Sequence, residues 1–280
     1  MKGGNLRRIK KINQIIVYIF VILAVFLSIA PMVYLAITSF KEPELTFAIP
    51  PVWNFTPTLQ NYDEVLSSTD FGKYFMNSVV VALVTTGIAL TLGTLAAYGF
   101  SRFRFRGHFW LRMSSLVPQM LPPIAIVVPL YVLFNKLDWI DTRQALIVSY
   151  LTFTIPLSTW MMIGFFDDVP VELEEAAMID GCSRFGALVR VSLPLAIPGI
   201  AATAILAFLY CWNEFLYAVI LTGRGARTLP IIITSFMTNK SVLWGRIAAS
   251  GTLVLIPVLI FALLAQRYLI RGLAKGAVKG

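Results

Sequence analysis

The sequence predicts an all-α, polytopic membrane protein with six transmembrane helices and both termini in the cytoplasm, and three observations carry that prediction. Hydrophobic residues fill 58% of the 280 positions and charged ones only 13%, about half the share of an ordinary soluble domain. The apolar residues come in long runs rather than amphipathic stripes, and about 20 in a row are what a helix needs to cross the hydrocarbon layer. The lysines and arginines gather unevenly between the runs, which sets an orientation.

The first run, 12–39, follows Lys2, Arg7, Arg8, Lys10 and Lys11. A secretory signal also starts this way, and Ser28, Ile29 and Ala30 offer a small-x-small cleavage site. The run is far longer than a signal core of about 7–15 residues and continues past Pro31, so it is read as an anchor that stays. The next segment, 40–74, holds Pro43, Pro50, Pro51 and Pro57 with Trp53, Phe55 and Tyr62, the composition of an ordered outer loop rather than a globular domain. Asn77 and Ser78 open the second run, 75–101, in which Thr85, Ala89, Gly93 and Ala97 form a ladder of small side chains. Lipid gives two helices no hydrophobic reason to associate, so a ladder that lets another helix come close predicts a packing face.

The third run, 110–135, carries Pro118, Pro122, Pro123 and Pro129. Each removes a backbone donor and crowds the preceding turn, so this helix must break or kink where protein or a wet cavity can satisfy the freed carbonyls. Runs at 144–166, 193–223 and 247–266 complete the set, with Pro156, Pro198 and Pro257 inside them, and a basic tail, 267–280, follows. With the N-terminus inside, 15 of the 23 basic residues lie on inner segments, among them Arg102, Arg104, Arg106 and Arg112. Those on the outer side are Lys41, Lys73, Lys136, Arg143, Arg224, Arg227, Lys240 and Arg246. The formal net charge of +9 therefore reads as topology plus attraction to anionic membrane lipids, and no nucleic-acid partner is expected.

The one extended polar interruption is EEAAMIDGCSRFGALVRVSLP at 174–194, most of it within the longest inner segment, 167–192. Asp167 and Asp168 precede Pro170, and Glu172, Glu174 and Glu175 follow, acids placed where the free amides and dipole of a helix start favour them. Gly181 sits where a left-handed turn would end that helix. Ser183 can cap a second short helix to about residue 190, and Pro194 marks the start of the fifth run. The prediction is a helix, a glycine turn and a second helix on the inner face, with Ala176, Ala177, Ile179, Phe185, Leu188 and Val189 as small and apolar surface among the charges. A segment lying passively in the headgroups is the alternative. The acids from Asp167 to Glu175 would be repelled by an anionic leaflet, so a protein partner fits this surface better.

Catalytic and metal chemistry find little support. Cys182 and Cys211 lack metal-site spacing and are read as small apolar fillers rather than a disulfide. His108, the only histidine, is placed at headgroup level. No metal and no cofactor is expected in the chain itself, and no G-x-x-x-x-G-K-S/T run occurs that could cradle ATP phosphates. Glu214 is the only acid well inside a run, where a charge is costly unless paired or wetted. On one continuous helix Tyr210, Asn213, Glu214 and Tyr217 would share a face, combining the amide, carboxylate and aromatic groups that sugars use. Polar contact between helices is the other reading.

Glu175, Ala176 and Ala177, then three residues, Gly181, nine residues, and Val191, Ser192, Leu193, Pro194 resemble the EAA loop of ABC importer permeases. That pattern is E-A-A, three residues, G, nine residues, I-x-L-P, and Val191 in place of isoleucine is the departure. The six runs, both ends inside, Asn77 with Ser78, Trp212 with Asn213 and Glu214, and the tail from Gly272 to Gly280 extend the resemblance over nearly the whole chain. They point to the carbohydrate branch, similar to the smaller permease of the maltose importer. The resemblance implies that the loop is a coupling helix pair seated in a cleft of a cytoplasmic ATPase. Its coupling residues would be Glu174, Glu175, Ala176, Ala177, Asp180, Gly181, Phe185, Leu193 and Pro194. Tyr210, Trp212, Asn213, Glu214, Tyr217 and Asn77 would line the substrate pathway, and the tail would reach between the ATPase subunits, the other reading being a frayed basic end near lipid.

The same resemblance implies the partners: a dimer of ATP-binding subunits that holds ATP and Mg, a second homologous permease, and an extracytoplasmic sugar-binding protein docked on 40–74 and 223–246. The location would be the cytoplasmic membrane of a bacterium or archaeon. The expected function is import of sugars, oligosaccharides foremost, by alternating access, with a glycerol-phosphate or polyol importer as the neighbouring reading. An ion-coupled carrier would show internal repeats and further intramembrane charges, and a membrane enzyme a cluster of reactive groups at one face. The sequence shows neither.

Overall fold

The computed structural model describes residues 2–237 and 242–277. Lys240 of the outer segment and the end of the basic tail lie outside the described residues. The chain divides into two compact units, Met1–Thr69 with Ile233–Leu253, and Asp70–Ile232 with Val254–Gly280.

In the first unit, α1 (Lys2–Ser39) runs through Pro31 without interruption. Its apolar side chains from Ile15 to Leu27 are exposed on all sides, which a hydrocarbon surrounding favours. The segment after it has one 3-10 turn, Pro43–Phe47, and is otherwise irregular, yet it is anchored. Lys41 is only 2% exposed, and its ammonium lies 5.6, 5.7 and 5.4 Å from the ring centres of Tyr34, Trp53 and Phe55. The negative faces of the rings hold the charge. A short helix, α2 (Gln60–Ser68), is fixed by buried Asn61, whose amide donates to the carbonyls of Ser39 (3.0 Å) and Lys41 (2.7 Å).

The second unit starts with α3 (Phe71–Arg102), turns at Gly107, and continues through α4 (His108–Ser114), α5 (Val117–Met120), α6 (Pro123–Lys136) and α7 (Arg143–Asp167). Then come α8 (Val171–Ile179), α9 (Arg184–Ala187), α10 (Leu193–Trp212) and α11 (Leu216–Leu221); a 3-10 stretch at Leu229–Phe236 starts in this unit and ends in the first, and α12 (Trp244–Ala277) starts in the first and ends in this one. Among the described residues, five helices are long and apolar enough to cross a membrane. His108–Met120 and Pro123–Lys136 form a further pair bent by 88°, so the proline-rich run is two pieces with the break at Leu121 and Pro122. Pro156, Pro198 and Pro257 instead stay inside α7, α10 and α12.

Two expectations need correction. The run 193–223 is not one helix, because α10 ends at Trp212 and three residues separate it from α11. The second helix of the polar segment is not a separate piece either: a π-helical turn at Leu188–Ser192 joins α9 to α10, giving one helix from Arg184 to Trp212. The last helix continues beyond residue 266 through much of the expected tail.

The core of this unit is α3 against α7, with α10 packed on both. Thr85, Ala89, Gly93 and Ala97 are all buried. At Gly93 the neighbour comes so near that a Cβ would stand 2.7 Å from Ser158 Cβ and 3.0 Å from Thr159 N. Where the attraction between helices is contact itself, that approach is the stabilising term. Replacing Gly93 with Ala should therefore cost about 1–3 kcal/mol, measured as a lower unfolding midpoint in detergent. The companion change Ser158→Gly should recover part of the loss, and an unchanged midpoint for Gly93→Ala would remove this contact from the account.

Candidate functional site

Both helix breaks open on one cavity of about 660 Å³. Pro118, Gln119 and Leu121 line it from the bent pair, Phe153 from α7, and Tyr210, Asn213, Glu214 and Tyr217 from the region where α10 gives way to α11. Backbone that leaves the helix at membrane depth is tolerated where it faces such a space. The second break is made by Glu214. One carboxylate oxygen accepts the amide of Tyr217 (3.0 Å) and the other that of Ala218 (3.2 Å), so the acid caps α11 and meets the positive end of its dipole. Asn213 donates back to the carbonyl of Leu209 (2.9 Å).

The structure keeps four of the predicted pathway residues together and removes two. Tyr210, Asn213, Glu214 and Tyr217 all reach the cavity, though across a break rather than on one helix face. Trp212 is 1% exposed, packs edge-on against Phe75 and stacks on Phe208, and donates to the carbonyl of Val254 (3.2 Å); it belongs to the core. Asn77 lies in the second turn of α3, fully buried. Its amide donates to the carbonyls of Gly225 (3.1 Å) and Arg227 (2.8 Å), and its oxygen accepts from Arg143 Nε (2.8 Å). Ser78 beside it accepts the amide of Leu229 (2.7 Å).

These contacts form a latch on the loop at 223–229, and a residue absent from the sequence reading completes it. Asp141, at a left-handed φ of 62°, accepts the amides of Gly223 (2.9 Å), Gly225 (2.8 Å) and Ala226 (2.8 Å). Burial pushes its carboxyl up, but the amides of residues 223–226 outweigh that and hold it below the ordinary value.

The polar hairpin is held by a second such knot. Glu174 is 4% exposed: it points into the protein. Arg102 Nε (2.7 Å) and Ser192 Oγ (2.5 Å) donate to one of its oxygens, and Tyr98 OH (2.9 Å) to the other, while Arg102 Nη2 reaches the carbonyl of Val169 (2.9 Å). Among the residues named for coupling it therefore lies off the exposed face of the hairpin. Glu175, Ala176, Asp180 and Phe185 are exposed, Ala177 is half-buried, and Leu193 and Pro194 sit at the start of α10. Gly181 has φ +91° with open space around it, and Ser183 Oγ accepts the amide of Gly186 (3.1 Å). Ile179 is 87% and Phe185 68% exposed, whereas Leu188 is buried in a cluster with Ala97, Phe166 and Ala196.

Two interrupted spans around a cavity and one pinned hairpin on a helical core define the class of multi-pass helical permeases. The chain belongs to the family described as binding-protein-dependent transport system inner membrane component, which its residues 89–275 match. It is 37% identical over 273 residues, 96% of this chain and 98% of the relative, to the trehalose/maltose transport system permease protein MalG of Thermococcus litoralis. The trehalose transport system permease protein SugB of Mycobacterium tuberculosis is 37% identical, with 80% of this chain and 83% of that protein covered. A crystal structure of a bacterial ABC transporter involved in the import of the acidic polysaccharide alginate shares the fold, with a TM-score of 0.72, 21% identity, and 93% and 98% coverage.

Burial pushes the Glu174 carboxyl up, and the bonds from Ser192, Arg102 and Tyr98 more than reverse it, so it lies below its ordinary 4.5. A carboxyl with a depressed folded-state value adds stability that is complete above the ordinary value and is lost as pH falls through the folded one. The gap in unfolding midpoint between the wild-type protein and Glu174→Gln should thus be widest at neutral pH and narrow below pH 4.5. A gap that stays constant over that range would show that the charge of Glu174 is not what the knot recognises.

Proposed function

We propose that this chain is the permease subunit of an ATP-driven, binding-protein-dependent importer of sugars, oligosaccharides foremost, working by alternating access. In this reading the hairpin at 167–192 couples it to a separate ATPase dimer that binds ATP and Mg. A second homologous permease completes the membrane passage, and an extracytoplasmic binding protein delivers the cargo. The observation that supports it best is the cavity between two broken spans, within a chain whose relatives carry names of trehalose and maltose transport. Aromatic faces from Phe153 and Tyr210, backed by buried Tyr217, with the polar groups of Gln119, Asn213 and Glu214 suit rings that need both apolar contact and hydroxyl partners. The described lining holds a carboxylate and neither lysine nor arginine, which favours a neutral sugar over a phosphate ester. The exposed side chains of Ile179 and Phe185 beside Glu175 and Asp180 give the hairpin an apolar centre with a charged rim, the make-up of a docking surface.

Reconstitution in vesicles with the co-purified ATPase, second permease and binding protein tests this reading. Uptake of labelled trehalose or maltose oligosaccharides should require ATP and the binding protein. Gly181→Val, which forces a β-branched residue into a positive φ, should sharply reduce sugar uptake while the protein still inserts. ATP-independent uptake by the chain alone would overturn the proposal.

A further inference from the structure

The hairpin is linked to its unit along the backbone in two places: α8 follows α7 through residues 168–170, and α9 runs through the π-turn into α10. Any displacement of the hairpin reaches α7 and α10 through the chain itself. α3 has no such link. It meets the hairpin through the apolar cluster around Ala97 and Leu188, through a hydrogen bond from Ser101 to Asp167 at the hairpin's start, and, deeper in, through the knot on Glu174. Apolar surfaces hold two elements together without fixing a direction, whereas Arg102, donating Nε to the Glu174 carboxylate and Nη2 to the carbonyl of Val169 in the same segment, fixes both distance and angle.

We propose that the Glu174–Arg102 pair is a mechanical joint, with Glu174 a positioning residue that makes α3 move together with the polar hairpin. This rests on the importer reading above. The pair is nearly sealed from water, with the two side chains 5% and 7% exposed, and its remaining donors come from Ser192 and Tyr98. A buried ion pair adds little net stability over apolar packing, but removing one member leaves an uncompensated charge; the joint therefore stays closed under load. Ser192 reaches Glu174 at the end of the π-turn, the kind of helix irregularity that recurs at functional positions. At about 1.5 Å per residue, α3 extends about 37 Å from Arg102 to Asn77, which holds the loop at 223–229. The joint and the latch are thus the two ends of one rod, and a push on the hairpin is delivered to the opposite side of the membrane.

The test is the number of sugars imported per ATP hydrolysed by the full complex in vesicles. A folding defect lowers hydrolysis and uptake together and leaves that ratio alone. Glu174→Gln should lower it on the order of tenfold, within the usual range of coupling between sites. Because Arg102 would then be buried unpaired, Arg102→Gln/Glu174→Gln, which leaves no charge behind, provides the folded control and should show the same loss. A wild-type ratio in that double variant overturns the joint. A wild-type complex that shows no ATP-dependent uptake overturns the importer reading, and the joint with it.

Discussion

Hydrocarbon offers no partner to a charge or to a backbone group that leaves its helix, and the irregular features of this chain sit where its own side chains supply one. The fifth span breaks after Trp212 because Glu214 takes over the amides that the break exposes. The loop at 223–229 closes because Asp141 gathers its amides and Asn77 its nearby carbonyls. The first break, at Pro122, follows from ring geometry, and it faces the same cavity as the second. The cavity and the satisfied polar groups around it are one arrangement.

The hairpin divides its acids by direction. Neighbours on an α-helix point about 100° apart, so Glu174 can be sealed against α3 while Glu175 stands in water. The buried acid sets the angle of the hairpin, and the exposed one shares a surface with Ile179 and Phe185. The hairpin thus has both a free face and a fixed one, and consecutive residues provide them.

Much of this was legible in the sequence. The spans follow from uncharged length, the turn at Gly181 from its place after an acidic helix start, and the packing ladder from the four-residue spacing of small side chains. The break in the third run was announced by its prolines. The break at 213–215 was not, because Trp-Asn-Glu-Phe contains neither glycine nor proline and depends on a capping carboxylate that a continuous-helix reading turns the other way. Trp212 and Asn77 were misplaced for a related reason. Whether a polar or aromatic side chain faces a cavity or a core is decided by partners such as one 42 residues away for Trp212 and those 66 to 150 residues away for Asn77. Arg102, counted only as a topological charge, gained its role from an acid 72 residues downstream.

The anchoring of Lys41 has a consequence for the outer segment. The attraction of the Tyr34, Trp53 and Phe55 rings for the sheltered ammonium works at short range, where dissolved salt screens little. The segment therefore has two kinds of tether, ring faces at Lys41 that ignore salinity and a partly exposed carboxylate–guanidinium pair between Glu64 and Arg246 that dissolved salt weakens, so brine would free its helical end before its proline-rich one.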